Sequence, residues 1–274
     1  MDSSLTSALT TASEITTTTS SCKAVHYAYD EASLTYELVW SDEFAKETGV
    51  PSIIKWKYQT GGGGWGNNEL QYYTDGANSV IQSDHLIIEA RKETFGEEAY
   101  TSSRMNTGMS FLYGKFEIRA KLPQGAGTWP AIWMMPQSSS YGAWPKSGEI
   151  DIMEHVGTDM GRVHFSIHTE KYYHKIGTQK TFVTTVSAVA STYHVYTLEW
   201  LPDKLKFFVD DVLKWTYDPT DFVACPSSQE WPFDRPFYLI LNVAIGGWGG
   251  TPYAGFVSES MSIDYVRIYQ ADEL

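Results

Sequence analysis

Hydrophobic and polar residues alternate along most of this chain in short stretches, and turn residues separate the stretches. A period of two is typical of β-strands, whose successive side chains point to opposite faces. No stretch shows a sustained helical period, and the chain has no internal repeat. Many short strands at regular spacing indicate an all-β sandwich, which we expect to form one domain over residues 34–274. The predicted strands lie in residues 34–44, 80–92, 111–122, 162–169, 193–200, 204–209, 237–244 and 262–270.

The stretch 144–157 departs from simple alternation because it carries three acids. Its centre reads EIDIME, from Glu149 to Glu154. In a regular strand Glu149 and Asp151 share one face, while the two isoleucines point into the core. Glu154 lies five residues from Glu149 and would also face the core, where an unpaired charge is very costly. One extra residue near Met153, a β-bulge, returns Glu154 to the face of the other acids.

Three carboxylates held on one face of a strand suit metal binding or glycoside hydrolysis. In glycoside hydrolysis one acid attacks or activates water, and the other protonates the leaving oxygen. The retaining form of the reaction needs carboxyl groups about 5–5.5 Å apart, which two glutamates on one bulged strand can approach. The alternative is a solvated acidic face on an edge strand. Such a face would not need apolar residues packed between the acids.

The amino-acid composition limits the classes of molecule that the chain is expected to bind. Of the 274 residues, 15% are aromatic, including 10 Trp and 18 Tyr, and we expect them to serve both the sandwich core and a sugar-stacking surface. A net charge of −13 argues against nucleic acid, anionic membranes and sulfated polysaccharides, but it is compatible with a neutral glucan. No apolar run reaches transmembrane length. The sequence therefore predicts no nucleic-acid partner and no membrane partner.

The N-terminal part reads differently from the rest. Residues 1–33 are rich in Ser and Thr, and we expect a flexible tail. This part has neither a basic segment nor an apolar segment of the secretory type, so no signal peptide is predicted. The two cysteines, Cys22 and Cys225, could form one disulfide or stay free.

Two other sequence patterns are similar to known ligand-binding motifs but do not match them. The glycine-rich loop 61–66 is not followed by Gly-Lys-Ser/Thr or by a helix, so it does not predict a phosphate site. The histidines at positions 155, 164, 168 and 174 include no H-E-x-x-H spacing on a helix, so they do not predict a zinc site. We expect structural or sugar-binding histidines instead, with His168 in the cleft.

The EIDIME stretch follows WPAIWM, which begins at Trp129, and WPKSG, which begins at Trp144. Together these motifs resemble glycoside hydrolase family 16. The pattern E-x-D-x-x-E is most similar to that of the bacterial-type laminarinases, the endo-β-1,3-glucanases of the family. The resemblance runs over about 36–269. It implies a β-jelly-roll sandwich of the concanavalin A-like type, in which two curved antiparallel sheets carry a substrate cleft on the concave face.

The resemblance also implies roles for individual residues. Glu149 would be the nucleophile, and Glu154 would be the general acid and then the general base. Asp151 would hold and tune Glu149. The residues expected to bind substrate are Asn68, Arg104, Trp129, Trp133, Trp144, His168, Asn242 and Trp248.

The chemistry itself needs no cofactor. Many members of the family hold a structural calcium ion on the convex side, and Glu43 and Asp264 match the positions of its acidic ligands. Calcium prefers such oxygen ligands.

The sequence thus predicts a secreted, monomeric, retaining endo-glucanase that acts on β-1,3-linked glucans such as laminarin. Within the same family, mixed-linkage glucan or a galactan such as agar is the alternative substrate. A different alternative is a non-catalytic carbohydrate-binding sandwich, which would use the tryptophans but leave the three acids without a role.

Overall fold

The computed structural model describes residues 29–274; residues 1–28, which include Cys22, lie outside the described part. Cys225 is disulfide-bonded. Within residues 29–274 the chain forms 18 β-strands and five short 3₁₀ turns, and no α-helix. None of these turns is long and apolar enough to cross a membrane. The prediction of an all-β fold is confirmed.

The strands follow one another as short segments. In chain order they are β1 (Glu37–Asp42), β2 (Thr48–Gly49), β3 (Trp56–Tyr58), β4 (Gln71–Tyr73), β5 (Ser79–Gln82), β6 (His85–Arg91), β7 (Tyr100–Ser102), β8 (Arg104–Thr107), β9 (Gly114–Lys121), β10 (Thr128–Pro136), β11 (Glu149–Glu154), β12 (Arg162–His168), β13 (Lys180–Thr185), β14 (His194–Trp200), β15 (Leu205–Val209), β16 (Val212–Tyr217), β17 (Phe237–Ile245) and β18 (Ser258–Gln270).

These strands build two sheets. Seven of them form the front sheet, in the order β13-β12-β11-β10-β17-β8-β3. Eleven form the back sheet, whose main path runs β16-β15-β14-β9-β18-β6-β5-β2. Beside this path, β1 pairs with β18, β7 pairs with β6, and β4 pairs in parallel with β7. All other pairings are antiparallel, so the predicted sandwich of two antiparallel sheets is confirmed.

The alternation of the sequence explains which face of each strand is buried. In β9, Phe116, Ile118 and Ala120 are fully buried, and the residues between them are partly exposed. Ile150 of β11 and Leu241 of β17, in the front sheet, belong to the same hydrophobic cluster. One core therefore lies between the sheets, which leaves the other face of the front sheet free to form a cleft.

The prediction of a single strand over 80–92 is wrong, because a tight turn divides it. Ser83 and Asp84 have φ values of 49° and 58°, and they connect β5 to β6 as a hairpin. Positive φ at two consecutive residues is typical of the type I′ turn, whose twist matches that of paired strands. Aspartate tolerates this conformation better than most residues, but Ser-Asp is a weaker turn signal than Asn-Gly or Asp-Gly.

Several other boundaries differ from the prediction. The last strand begins at Ser258 rather than at residue 262 and is 13 residues long. The strands β3, β4, β7 and β8 were not predicted, because three or four residues are too few to show a period of two. The short strand β2, the edge strands β13 and β16, and β10 in the middle of the front sheet were also missed.

The end of the predicted tail contacts the back sheet. The Tyr29 hydroxyl donates a hydrogen bond to Asp203, 2.5 Å away, in the turn between β14 and β15. Glu31 forms ion pairs with Lys204, at 3.2 Å, and with Lys206. Residues 29–33 are thus bound to the sandwich, although they belong to the Ser/Thr-rich stretch.

Candidate active site

The predicted bulge lies in β11 between Asp151 and Glu154. Asp151 pairs with Ser166 of β12, and Glu154 pairs with His164, so three steps along β11 oppose two steps along β12. In the pairing with β10, Ile152 is the residue that has no partner. The prediction of one extra residue is confirmed, and Ile152, the neighbour of Met153, is the unpaired one on that side.

The bulge separates apolar from acidic side chains. Ile152 and Met153 are both fully buried in the core, although they are consecutive. Glu149, Asp151 and Glu154 all line the cleft on the opposite face of the front sheet. An extra residue in the strand thus keeps a carboxylate out of the core, where its charge would be costly.

Each glutamate accepts a hydrogen bond from a tryptophan indole. Nε1 of Trp144 donates to Oε2 of Glu149 at 2.6 Å, and Nε1 of Trp129 donates to Oε1 of Glu154 at 3.0 Å. These hydrogen bonds orient the carboxyl groups and favour their ionised forms. Both tryptophans were predicted as sugar-binding residues. Their rings line the cleft, while their N–H groups serve the acids.

Asp151 and His168 form the buried side of the acid cluster. Asp151 is 3% exposed and His168 is 6% exposed. Nε2 of His168 lies 3.4 Å from Oδ2 of Asp151 and 3.8 Å from Oε1 of Glu149. His168 is also the partner of Glu149 in the pairing of β11 with β12. The imidazole therefore lies against two of the three acids.

Crowding in a desolvated cleft raises the pKa of all three carboxyl groups. Burial and the charge of Asp151 raise the pKa of Glu149 to about 7, while His168 and the hydrogen bond from Trp144 act in the opposite direction. Burial raises the pKa of Asp151 to about 8. Burial, followed by the charge of Asp151, raises the pKa of Glu154 well above its usual range. The cluster therefore holds protons at neutral pH, as a general acid requires.

Arg104 lies between two aromatic rings of the cleft. Its guanidinium carbon is 4.6 Å from the ring centroid of Trp65 and 4.6 Å from that of Trp133. Both contacts are within the range of cation–π attraction, which also restrains the side chain. The predicted substrate-binding arginine is thus held by the protein before any ligand arrives.

A buried hydrogen-bonded chain supports Trp133 from behind. Glu69 is 6% exposed and accepts hydrogen bonds from Gln71, at 2.7 Å, and from the Tyr73 hydroxyl, at 3.1 Å. The Tyr73 oxygen accepts from Nδ2 of Asn242 at 3.0 Å, and Oδ1 of Asn242 accepts from Nε1 of Trp133 at 2.7 Å. Both ends of the Asn242 amide are therefore engaged by protein partners. We call the four residues Glu69, Tyr73, Asn242 and Trp133 the Glu69 chain.

The cleft contains all of the residues that were predicted to bind substrate. At its outer wall, Trp248 is 44% exposed and packs edge-to-face on Trp129, with 5.7 Å between ring centroids. The carbonyl oxygen of Asn68 accepts a hydrogen bond from Gly247 at 3.1 Å, which joins the two glycine-rich loops. The eight residues that line the cleft as predicted are Asn68, Arg104, Trp129, Trp133, Trp144, His168, Asn242 and Trp248.

The cleft also contains residues that the sequence did not single out as ligands. Among them are Trp65, Asn67, Glu69, His174 and Lys175. The first three lie in or beside the glycine-rich loop, which the sequence already marked as irregular. The other two lie on the loop between β12 and β13, and no pattern in that loop indicates a site.

The two acids of the predicted calcium site are each paired with arginine. Both carboxylate oxygens of Glu43 accept hydrogen bonds from Arg267, at 2.9 and 2.8 Å. Asp264 is paired with Arg119 and lies 3.8 Å from His85. In this arrangement the two carboxylates do not fit a shared calcium site, because guanidinium groups already balance their charges. Calcium binding stays a prediction.

This geometry offers the two groups that a double-displacement reaction needs. Two glutamates lie on one cleft face, one beside an imidazole and an indole N–H, the other with a pKa high enough to hold a proton. Aromatic rings and an arginine flank them. One group can attack while the other protonates a leaving oxygen.

Comparisons with known proteins agree with this geometry. A family model described as glycosyl hydrolases family 16 matches residues 65–267. A beta-glucanase of Rhodothermus marinus is 47% identical over 248 residues, which cover 86% of this chain and 85% of the relative. A glucan endo-1,3-beta-glucosidase of Cryptopygus antarcticus is 39% identical over 251 residues, which cover 84% of this chain and 90% of the relative.

A solved structure has the same fold. The X-ray structure of the laminarinase from Rhodothermus marinus superimposes with a TM-score of 0.83 at 45% identity. The match covers 87% of this chain and 98% of that one. The predicted sandwich architecture is therefore shared with an experimentally determined structure.

Proposed function

The chain belongs to glycosyl hydrolase family 16, and from this membership we propose that it is a retaining endo-β-1,3-glucanase acting on laminarin-type glucans. The observation that carries the proposal is the bulge in β11. Without the bulge Glu154 would face the core; with it, Glu149, Asp151 and Glu154 line one cleft. That is the arrangement in which two carboxyl groups can act on one glycosidic bond.

In the first step the Glu149 carboxylate attacks the anomeric carbon of the glucan. The bond from that carbon to the glycosidic oxygen breaks, and Glu154 gives its proton to the departing oxygen. The products are a glycosyl ester on Glu149 and a shortened glucan with a free hydroxyl. The hydrogen bond from Trp144 and the nearby His168 favour the ionised form that Glu149 needs.

In the second step Glu154 acts as a base. The charge of Glu149 is one cause of the raised pKa of Glu154, and this charge disappears when Glu149 becomes an ester. The pKa of Glu154 then falls, so the carboxylate stays ionised until it takes a proton from water. That water attacks the anomeric carbon and releases Glu149. Two inversions give overall retention of the β configuration.

Rigid aromatic groups hold the sugar chain. The rings of Trp133, Trp144 and Trp248 offer apolar faces to sugar C–H groups, and Arg104 offers N–H donors to hydroxyls. Since Arg104 is held between two rings and Trp133 is held by the Glu69 chain, little freedom is lost on binding. The cleft should therefore bind a polysaccharide at a small cost in conformational entropy.

Location, oligomeric state and cofactor requirement complete the proposal. The chain acts as a monomer outside the cell, where polysaccharides of this class are met, and its chemistry uses no cofactor. Cleavage of mixed-linkage glucan or galactan as the main activity is not favoured, because the relatives above are named for β-glucan or β-1,3-glucan. A non-catalytic sandwich would leave the pKa shifts of three clustered acids without a role.

A substrate panel tests the proposal. The purified chain is incubated with laminarin, mixed-linkage glucan, xyloglucan and agarose, and reducing ends and product lengths are measured. We expect internal cleavage, fastest on laminarin, and none by Glu149→Gln, since nucleophilic or acid–base roles are worth at least about 100-fold. Glu97→Gln, a change at an exposed glutamate outside the cleft, is the matched control. Fastest cleavage of agarose, or full activity in Glu149→Gln, would overturn the proposal.

A further inference from the structure

Three side chains of the acid cluster converge as metal ligands do. One nitrogen of His168 and one oxygen each of Glu149 and Asp151 lie within 4.8 Å of one another. The distances from the imidazole nitrogen are 3.4 Å to Asp151 and 3.8 Å to Glu149. Zn²⁺ binds such atoms at about 2.0–2.1 Å in a tetrahedron, which places ligand atoms roughly 3.4 Å apart. Small rotations of the side chains would close the remaining gap.

The ligand atoms are available for an ion. Oδ2 of Asp151 is buried, accepts no hydrogen bond from any described residue, and is the oxygen that faces His168. Glu149 uses Oε2 for the indole of Trp144, so Oε1 is left toward the imidazole. A surface group of acids would instead be solvated. Here a buried acceptor lacks a donor, which a cation would supply.

The ligand set favours zinc over calcium. Imidazole nitrogen with two carboxylates suits Zn²⁺, which takes three protein ligands and leaves a fourth position open. Calcium takes six to eight oxygen ligands, and the cluster offers too few. Zinc displaces the protons that these carboxyl groups hold, and the two carboxylates then balance the double charge of the ion. The fourth position would face the cleft, because Glu149 and Asp151 line it.

We propose that Glu149, Asp151 and His168 form a site for a single Zn²⁺ ion, and that the bound ion blocks the cleft reversibly. The ion would hold the carboxylate oxygen that the reaction uses for attack. It would also fill the space in front of it. Zinc binding does not depend on the hydrolytic activity proposed above, so it is measured independently of turnover.

Calorimetric titration of the metal-free chain with zinc chloride tests the site, and the absorption spectrum of Co²⁺ in place of zinc reports the coordination geometry. We expect one ion per chain, a tetrahedral cobalt spectrum and no calcium binding at the same site. His168→Gln should weaken zinc affinity by at least about tenfold, the scale set by loss of supporting groups around metal sites. Asp151→Asn, which keeps the side-chain volume, should do the same. The melting temperature of each variant shows that it is folded.

His164→Gln is the matched control, because His164 lies on the same strand and also lines the cleft but is not one of the three ligands. A second titration uses the inactive variant Glu154→Gln saturated with a β-1,3-glucan oligosaccharide, and zinc affinity should fall. Equal loss of affinity in His164→Gln and His168→Gln, or no zinc binding in the wild type, would overturn the site. Unchanged affinity with oligosaccharide bound would overturn the blocking role.

Discussion

The indole N–H of Trp144 donates a 2.6 Å hydrogen bond to Oε2 of Glu149. Such a bond to an ionised group is worth about 1.5–3 kcal/mol, and it lowers the pKa of the carboxyl that accepts it. In the proposed mechanism Trp144 is therefore more than a surface for sugar. It would keep the Glu149 carboxylate, the proposed nucleophile, oriented and ionised in a cleft where burial and Asp151 favour protonation.

Trp144→Phe should thus impair the chemistry as well as binding. Without the N–H donor the pKa of Glu149 rises, so the acidic limb of the kcat/KM profile moves to higher pH, and kcat/KM at pH 6 falls roughly tenfold to 100-fold. The pH profile on laminarin measures both effects. Trp215→Phe, on β16 of the back sheet, is the control. A fall in kcat/KM without any shift of the acidic limb would mean that the substitution removed only a sugar-binding surface and did not change the pKa of Glu149.

Stability should decrease as the pH rises through neutrality. The pKa of Glu149 is about 7 and that of Asp151 about 8 in the folded chain, well above the unfolded values near 4. Between these limits the folded state binds more protons than the unfolded state, so the free energy of unfolding falls with pH. Each pKa unit corresponds to about 1.4 kcal/mol, so the loss between about pH 5 and pH 8 amounts to a few kcal/mol.

Asp151→Asn should make the free energy of unfolding depend less steeply on pH. The variant lacks one of the groups that must ionise in a buried place, so its unfolding free energy should exceed that of the wild type at pH 8. Urea unfolding at pH 5 and pH 8 measures the difference. The control is Asp221→Asn, at an exposed aspartate, which should follow the wild type. If Asp151→Asn lost stability with pH as steeply as the wild type, the cluster would not be the cause.

The bulge can be removed or enlarged. Deleting Ile152 pairs β11 with β10 one to one and leaves Glu154 on the cleft face, at the cost of a buried side chain, about 2–5 kcal/mol. We expect a folded chain with a lower melting temperature and measurable activity. Inserting alanine after Met153 makes the spacing between Glu149 and Glu154 even. A strand that keeps the bulge then turns Glu154 toward the core, and a strand that loses the bulge brings Met153 onto the cleft face between the acids, so the chain should be inactive or unfolded. Melting curves and assays on laminarin and mixed-linkage glucan compare them; a more active insertion variant would contradict the assigned register.

Substitutions in the Glu69 chain should change the kinetic constants in a pattern that a purely structural role of these residues would not produce. Glu69→Gln weakens the acceptor on which the chain of hydrogen bonds ends, and Tyr73→Phe removes the link to Asn242. If the chain positions Trp133, each change should raise KM several-fold and lower kcat less. The double variant should be no worse than either single one, since residues of one network are not additive. Additive effects, or loss of kcat alone, would show that Trp133 is not what the chain supports.

The bulge could be predicted from the sequence, because a regular strand would place a charged side chain in the core. Glu154 lies five positions after Glu149, and a regular strand would bury its charge, so the extra residue could be placed to within one position. The three acids could be placed on one face for the same reason. Each conclusion needed only residues within one strand.

Features that depend on distant parts of the chain could not be predicted. The indole of Trp133 reaches Asn242, which lies more than a hundred positions later, and the Glu69 chain joins three strands. No local period marks such contacts. The turn at Ser83 was missed for another reason, because Ser-Asp is a weaker turn signal than Asn-Gly or Asp-Gly. The hairpin is evident only from the pairing of its two strands.

The stereochemistry of the first products tests the account most directly. Proton NMR of laminarin digested briefly with the wild-type chain separates the α and β anomers of new reducing ends before they interconvert. Double displacement through Glu149, with Glu154 as acid and base, predicts that the β signal appears first and the α signal follows only by mutarotation. An initial α signal would mean a single displacement by water, with the two glutamates too far apart for the roles assigned to them.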